Sequence, residues 1–166
     1  MHAPFPRPLI TRFMNTSGEQ GKAADSPQVD LEEYLDILVR NIEELCNTRA
    51  TLPLAPTPEI AARPLTVREW GVPDWTGFSP HSPETREQLC RAIERSLVAF
   101  EPRLRGVTVR PLEETDATEF GTVFDPTRGL RLRVDARLAA RDSVRLVLSL
   151  HLHEEGISAS ELRYGF

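Results

Sequence analysis

The chain has 166 residues, 40% hydrophobic and 27% charged, enough for one globular domain with tails and too few for two full cores. Its formal net charge of −5 excludes general nucleic-acid binding, which depends on a basic excess. The two cysteines, Cys46 and Cys90, are too sparse for a disulfide scaffold or a zinc site.

Lys22 is the single lysine among twenty basic residues. Arginine suits buried or interfacial ion pairs better than lysine, although genome base composition produces the same bias. The first twenty residues contain no continuous apolar stretch before a small-residue cleavage site, and no apolar run reaches transmembrane length. A cytoplasmic protein without direct membrane insertion is therefore expected.

Residues 1–29 are expected to form a flexible arm. Asn15 to Gln28 is rich in small and polar types and reads as a linker. Before it, Leu9, Ile10 and Phe13 make a short apolar patch suited to docking on a partner or on the chain's own domain. A helix follows from Leu31 to Cys46, because Leu31, Tyr34, Leu35, Leu38, Ile42 and Leu45 recur at three- and four-residue steps. Asp30 with Glu33 resembles a capping box, and Asn47 is placed to end the helix in a left-handed conformation.

Four prolines, Pro53, Pro56, Pro58 and Pro64, predict an extended loop over Thr51–Thr66. The turn-rich stretch Trp70 to Gly77 follows, and its two tryptophans are expected to plug the edge of a core. A second helix begins with Ser82 as N-cap and Pro83 at its first position. Its buried stripe is Leu89, Ile93, Leu97 and Phe100. It ends there because Glu101 precedes Pro102, which disfavours further helix.

The remainder reads as sheet. Val107–Leu112 is a candidate strand, and apolar and polar residues alternate over Leu130–Leu138 and again over Val144–Leu152. Residues 139–143 fit the hairpin loop between them. The stretch 113–129 reads as a loop or short strand, and 154–166 is left open as a C-terminal tail. The expected fold class is α+β: two main helices packed on a small antiparallel sheet, spanning residues 30–153.

The chemistry of catalysis is thinly represented. Carboxylates occur as adjacent pairs, Glu32/Glu33, Glu43/Glu44, Glu113/Glu114 and Glu154/Glu155. Glycoside hydrolysis needs two carboxyl groups opposed across a cleft, whereas neighbours on a helix or strand diverge. His151 and His153 share one strand face, but no Cys, Asp or Glu completes a recognisable ligand pattern beside them; no metal or cofactor is expected. No phosphate-binding glycine loop, dinucleotide fingerprint or nucleophile elbow is present. Arg131, Arg133, Arg137 and Arg145 line the polar face of the hairpin without the interleaved aromatics of a base-stacking surface. They suit an acidic protein surface or a plain solvated face.

Several segments together resemble one family. They are Leu45-Cys46-Asn47-Thr48-Arg49, Trp70-Gly71-Val72-Pro73-Asp74, Arg91-Ala92-Ile93-Glu94-Arg95, Phe100-Glu101-Pro102-Arg103-Leu104 and Val107-Thr108-Val109. In order and spacing they are similar to the TssE proteins of type VI secretion, related to the lysozyme-like baseplate-wedge proteins of contractile phages. The resemblance implies a non-enzymatic structural subunit on the cytoplasmic side of a membrane-anchored secretion complex. It also implies contacts with the wedge proteins TssF and TssG, with TssK as a further candidate, and a link to the TssB/TssC sheath. The family's wedge-contacting motif falls on Glu101, Pro102 and Arg103, with a brace for the helix end as the competing role of that pair. A peptidoglycan-cleaving enzyme is the alternative function. The proline-rich loop and the tail after Leu152 depart from the family pattern.

Overall fold

In a computed structural model of the chain, the described residues are 5–6, 28–75, 79, 82–113, 130–153 and 156–165. The arm segment Pro8–Phe13, most of the expected linker, His2, His81, Glu114, Glu154, Glu155 and residues 115–129 lie outside them. The chain is mixed α and β and rich in strand. It divides into two compact units, residues 1–41 and 42–166.

In the first unit, strand β1 (Phe5–Pro6) pairs antiparallel with β2 (Gln28–Val29). The Phe5 ring stacks on Tyr34, with centroids 4.6 Å apart. Tyr34 belongs to helix α1 (Leu31–Asn47), which runs on into the second unit. Asp30 caps this helix by accepting the Glu33 N–H at 2.9 Å, one of the two bonds of the expected capping box. The three- and four-residue apolar spacing is borne out in the burial of Tyr34, Leu35, Leu38, Ile42 and Leu45, joined by Ile37 and Cys46.

The second unit continues with β3 (Arg49–Ala50), the short helix α2 (Pro58–Ala62), a 3-10 turn (Val67–Glu69) and β4 (Val72–Pro73). The proline-rich segment is thus not wholly extended. Thr57 precedes Pro58 at the start of a helix, where the missing proline N–H costs nothing. Helix α3 (Pro83–Phe100) starts and stops where its signals place it. Ser82 accepts the Thr85 N–H, and Glu101 is the C-cap.

The main sheet has four antiparallel strands in sequence order: β5 (Leu104–Pro111), β6 (Leu130–Leu138), β7 (Arg141–His153) and β8 (Gly156–Gly165). β5 and β7 are each longer than the alternation predicts, and only Ala139–Ala140 turns the hairpin. The tail left open by the sequence supplies β8. It pairs with β7 from His153↔Gly156 to Arg145↔Gly165, so Val144–Leu152 is an inner strand and not a sheet edge.

β7 is buried on both faces along its middle. Val144, Leu146, Leu148, Leu150 and Leu152 are buried on the expected apolar face, and Val147 and Ser149 are buried on the other. The expected solvated face is accordingly interrupted there, where Val147 clusters with Leu112. Helix α3 packs against β5 through the second unit's core, to which it contributes Leu89, Ile93 and Leu97. Trp70 is exposed and does not plug a core; Trp75 is half-buried.

Candidate functional site

The Glu101–Pro102–Arg103 corner joins α3 to β5. Proline holds the turn, the Glu101 N–H caps the helix at Leu97 O (2.9 Å), and Glu101 O accepts the Leu104 N–H at 3.0 Å. The Glu101 side chain folds inward and is only 7% exposed, with Arg103 at 19%. Arg103 Nε donates to Glu101 Oε1 at 2.6 Å. A second guanidinium N–H, on Nη2, meets Glu101 Oε2 and closes a bidentate fork. Arg103 O accepts the Ala139 N–H at 2.7 Å, which ties the corner to the β6–β7 turn. Acceptor and fork thus serve each other, and Pro102 is the exposed member.

The motif segments before and after the proline-rich loop meet at a second place. β3 and β4 pair in parallel, with Arg49 opposite Val72. The Val72 N–H donates to Thr48 O at 2.8 Å. The chains approach so closely at Gly71 (φ +116°) that a Cβ would lie 2.2 Å from Thr48 O; only glycine fits. Ser96 of α3 donates from its hydroxyl to Gly71 O at 2.6 Å, a buried bond, and an exposed Arg49–Asp74 ion pair at 3.3 Å spans the outside.

Asn47 does not terminate α1 through a left-handed backbone; no residue other than glycine has positive φ among the described residues. Its side chain reaches β8 instead. Nδ2 donates to Ile157 O at 2.7 Å and to Glu43 O at 2.9 Å, while Oδ1 accepts the Ile157 N–H at 2.8 Å. Glu43 accepts the Ala159 N–H at 2.7 Å. At the opposite edge of the sheet, Glu94 of α3 accepts the Val109 N–H at 3.0 Å. Side chains therefore occupy edge positions on both outer strands, one way that sheets are protected from unwanted pairing.

The proline-rich loop is pinned by charge. Arg95 donates to Ile60 O and Arg63 O at 2.6 and 2.8 Å. Glu69 is buried, is forked by Arg63, and accepts from Thr66 N and Oγ1. These bonds, that of Arg63 foremost, hold its carboxyl at about 2, well below the ordinary 4.5. A cavity of about 320 Å³ lies between this loop and α3, lined by Leu52, Leu54, Leu65, Pro73, Ala92 and Arg95 among others.

On the sheet, the arginine stripe divides. Arg133 is buried and forks onto Asp135 at 2.8 and 3.1 Å, and Arg145 shares that carboxylate at 3.1 Å. Burial raises the Asp135 pKa, but the hydrogen bonds from Arg133 and Arg145 outweigh it and hold the group below its ordinary value. Burial, reinforced by a neighbouring glutamate, pushes the Cys46 thiol up to about 12 and Cys90 up to about 11, so neither is a reactive thiolate. His151 and His153 touch, with ring centroids 3.9 Å apart, and His153 Nε2 lies 3.0 Å from Ser158 Oγ. Among the described residues no group of three or more His, Cys, Asp or Glu is arranged to hold a metal, and no helix is long and apolar enough to cross a membrane.

Comparison with known families matches residues 32–143, more than half of the chain, to the model of the baseplate wedge protein gp25. Among solved structures, a chain of the baseplate complex from the type VI secretion system is similar at 18% identity and a TM-score of 0.39. The match covers 81% of this chain and 96% of that one. A comparison with curated proteins returned no match.

Proposed function

Because the chain belongs to the baseplate wedge protein gp25 family, we propose that it is a TssE-type structural subunit. In this reading it sits in the baseplate wedge of a type VI secretion machine in the cytoplasm and links wedge to sheath. The family match over residues 32–143 carries this reading. The wedge partners are TssF and TssG, with TssK as a further candidate, and the sheath is TssB/TssC. The subunit acts through binding and not through catalysis.

The corner Glu101–Pro102–Arg103 is the wedge contact. Its internal fork supports a rigid, preformed shape with Pro102 outward, so a wedge protein recognises the corner without having to order it. The sheath contact lies on β8, an edge strand of the sheet. Asn47 and Glu43 occupy its first half, and Tyr164 and Gly165 are exposed at its other end. An extended sheath segment adds beside this end through main-chain hydrogen bonds.

The test is reconstitution with purified TssF/TssG and sheath proteins. Pro102→Asp should weaken wedge binding and leave sheath binding unchanged, whereas a chain ending at Arg163 should do the reverse. Equal loss of both, or of neither, rejects the two-surface reading. The purified chain should also solubilise no more peptidoglycan than a buffer control.

A further inference from the structure

Three exposed arginines stand side by side across the sheet. In the antiparallel register Arg105 of β5 is opposite Arg137 of β6, and Arg137 is opposite Arg145 of β7. Directly opposed residues share a face, with neighbouring strands about 4.8 Å apart. Like charges so placed destabilise a sheet. Among the described residues they are relieved only in part. Asp142 reaches Arg137 at 3.8 Å, with both side chains more than 60% exposed. Asp135, which reaches Arg145, is already forked by the buried Arg133. Arg105 has no ion pair among the described residues. In a chain of net charge −5, a row of three guanidiniums is a local reversal of sign.

We infer that this row is a docking surface for an acidic helix of a partner protein. Carboxylates three and four residues apart on a helix are about 5–6 Å apart, close to the strand spacing that separates the three guanidiniums. One helix face laid across β5, β6 and β7 therefore offers a carboxylate to each arginine in turn, and a planar fork is the donor suited to a carboxylate. Among the described residues the three arginines are directly opposed with no aromatic side chain between them, as a nucleic-acid strand would require for stacking. The row begins two residues after the corner, at Arg105, and lies on a face of the sheet and not along the β8 edge; the inference does not depend on the baseplate reading.

The test measures binding of a labelled helical peptide with glutamates along one face to the full chain and to the R105Q/R137Q/R145Q variant. A peptide of the same composition in scrambled order and a single-stranded DNA of equal charge are the comparison probes, and R91Q on α3 is the control variant. The wild type and R91Q should bind the patterned peptide in a salt-sensitive manner. The triple variant should bind about tenfold more weakly, with a Tm equal to or above that of the wild type, since repulsion has been removed. Unchanged binding by the triple variant, or equal binding of the scrambled peptide, overturns the inference. DNA binding as tight as the peptide's assigns the row to phosphate instead. A lower Tm in the variant makes the row structural. Low-salt self-association that the variant loses assigns it to a second copy of the chain.

Discussion

Asn47 holds Ile157 as a neighbouring strand would: its side-chain amide gives one hydrogen bond to Ile157 O and takes one from Ile157 N. The last turn of a helix thereby occupies a sheet edge, 110 residues away in sequence. Asn47→Ala leaves both backbone groups without these partners and should cost about 1–3 kcal/mol in urea denaturation. Amide exchange at Ile157 and Ala159 should accelerate more than at β6. Loss of stability with unchanged exchange there would place the effect in the helix alone.

Gly156 makes the same joint testable from the other side. At φ +149° its Cβ would lie 2.4 Å from Asn47 Oδ1. Gly156→Ala should destabilise by roughly 1–3 kcal/mol. In the Asn47→Ala background the cost should be smaller, because the collision partner is gone and the sites are coupled. Strict additivity in the double-mutant cycle would show that backbone strain, not the Asn47 contact, sets the cost.

Gly71→Ala should be the more severe change. The obstruction is backbone, Thr48 O, and φ is also positive, so a loss of roughly 3 kcal/mol or more is expected. Ser96→Ala removes one buried bond to Gly71 O and should cost about 1 kcal/mol. Thermal unfolding of the two variants orders them. A Gly71→Ala protein as stable as wild type would mean that the β3–β4 approach is looser than described.

Glu69 confers a pH dependence whose sign follows from its lowered pKa. Its contribution is fully present above the ordinary carboxylate value of 4.5 and is lost as pH falls toward about 2. Between those limits the wild type should lose stability more steeply than Glu69→Gln, while above pH 5 the two curves should run parallel. Parallel curves throughout would show that the Arg63 fork does not form in solution.

Glu101 folds inward at the corner and is held by the Arg103 fork. Removing it leaves a largely buried guanidinium without its fork, so Glu101→Gln should cost about 2 kcal/mol. Pro102→Ala, at an exposed position, should cost well under 1 kcal/mol. Denaturation midpoints decide between them, and a near-neutral Glu101→Gln would show that the fork with Arg103 contributes little to stability.

The helices and the β6–β7 hairpin were legible because each states its period locally: Leu35, Leu38 and Ile42 on a helix, Val144 to Leu152 on a strand. β8 was not, because Gly156–Gly165 alternates weakly and its strand character comes from pairing with β7. The Asn47 role was hidden for a related reason. A residue ending a helix has a strong local signal, and nothing nearby announces a partner at Ile157. Gly71 stood in a recognised motif, but which backbone it had to admit was set by Thr48, across the proline-rich loop. The corner was located correctly from Pro102, while the inward fold of Glu101 depended on the end of α3.

Membership of a working baseplate as a non-catalytic wedge subunit is decided in the cells that produce the chain. The tagged chain is isolated by affinity from those cells, and the co-purifying proteins are quantified by mass spectrometry. The wedge proteins and sheath should be recovered in fixed ratios, with Pro102→Asp depleting the wedge proteins selectively. Isolation free of baseplate components from cells shown to contain them would contradict it.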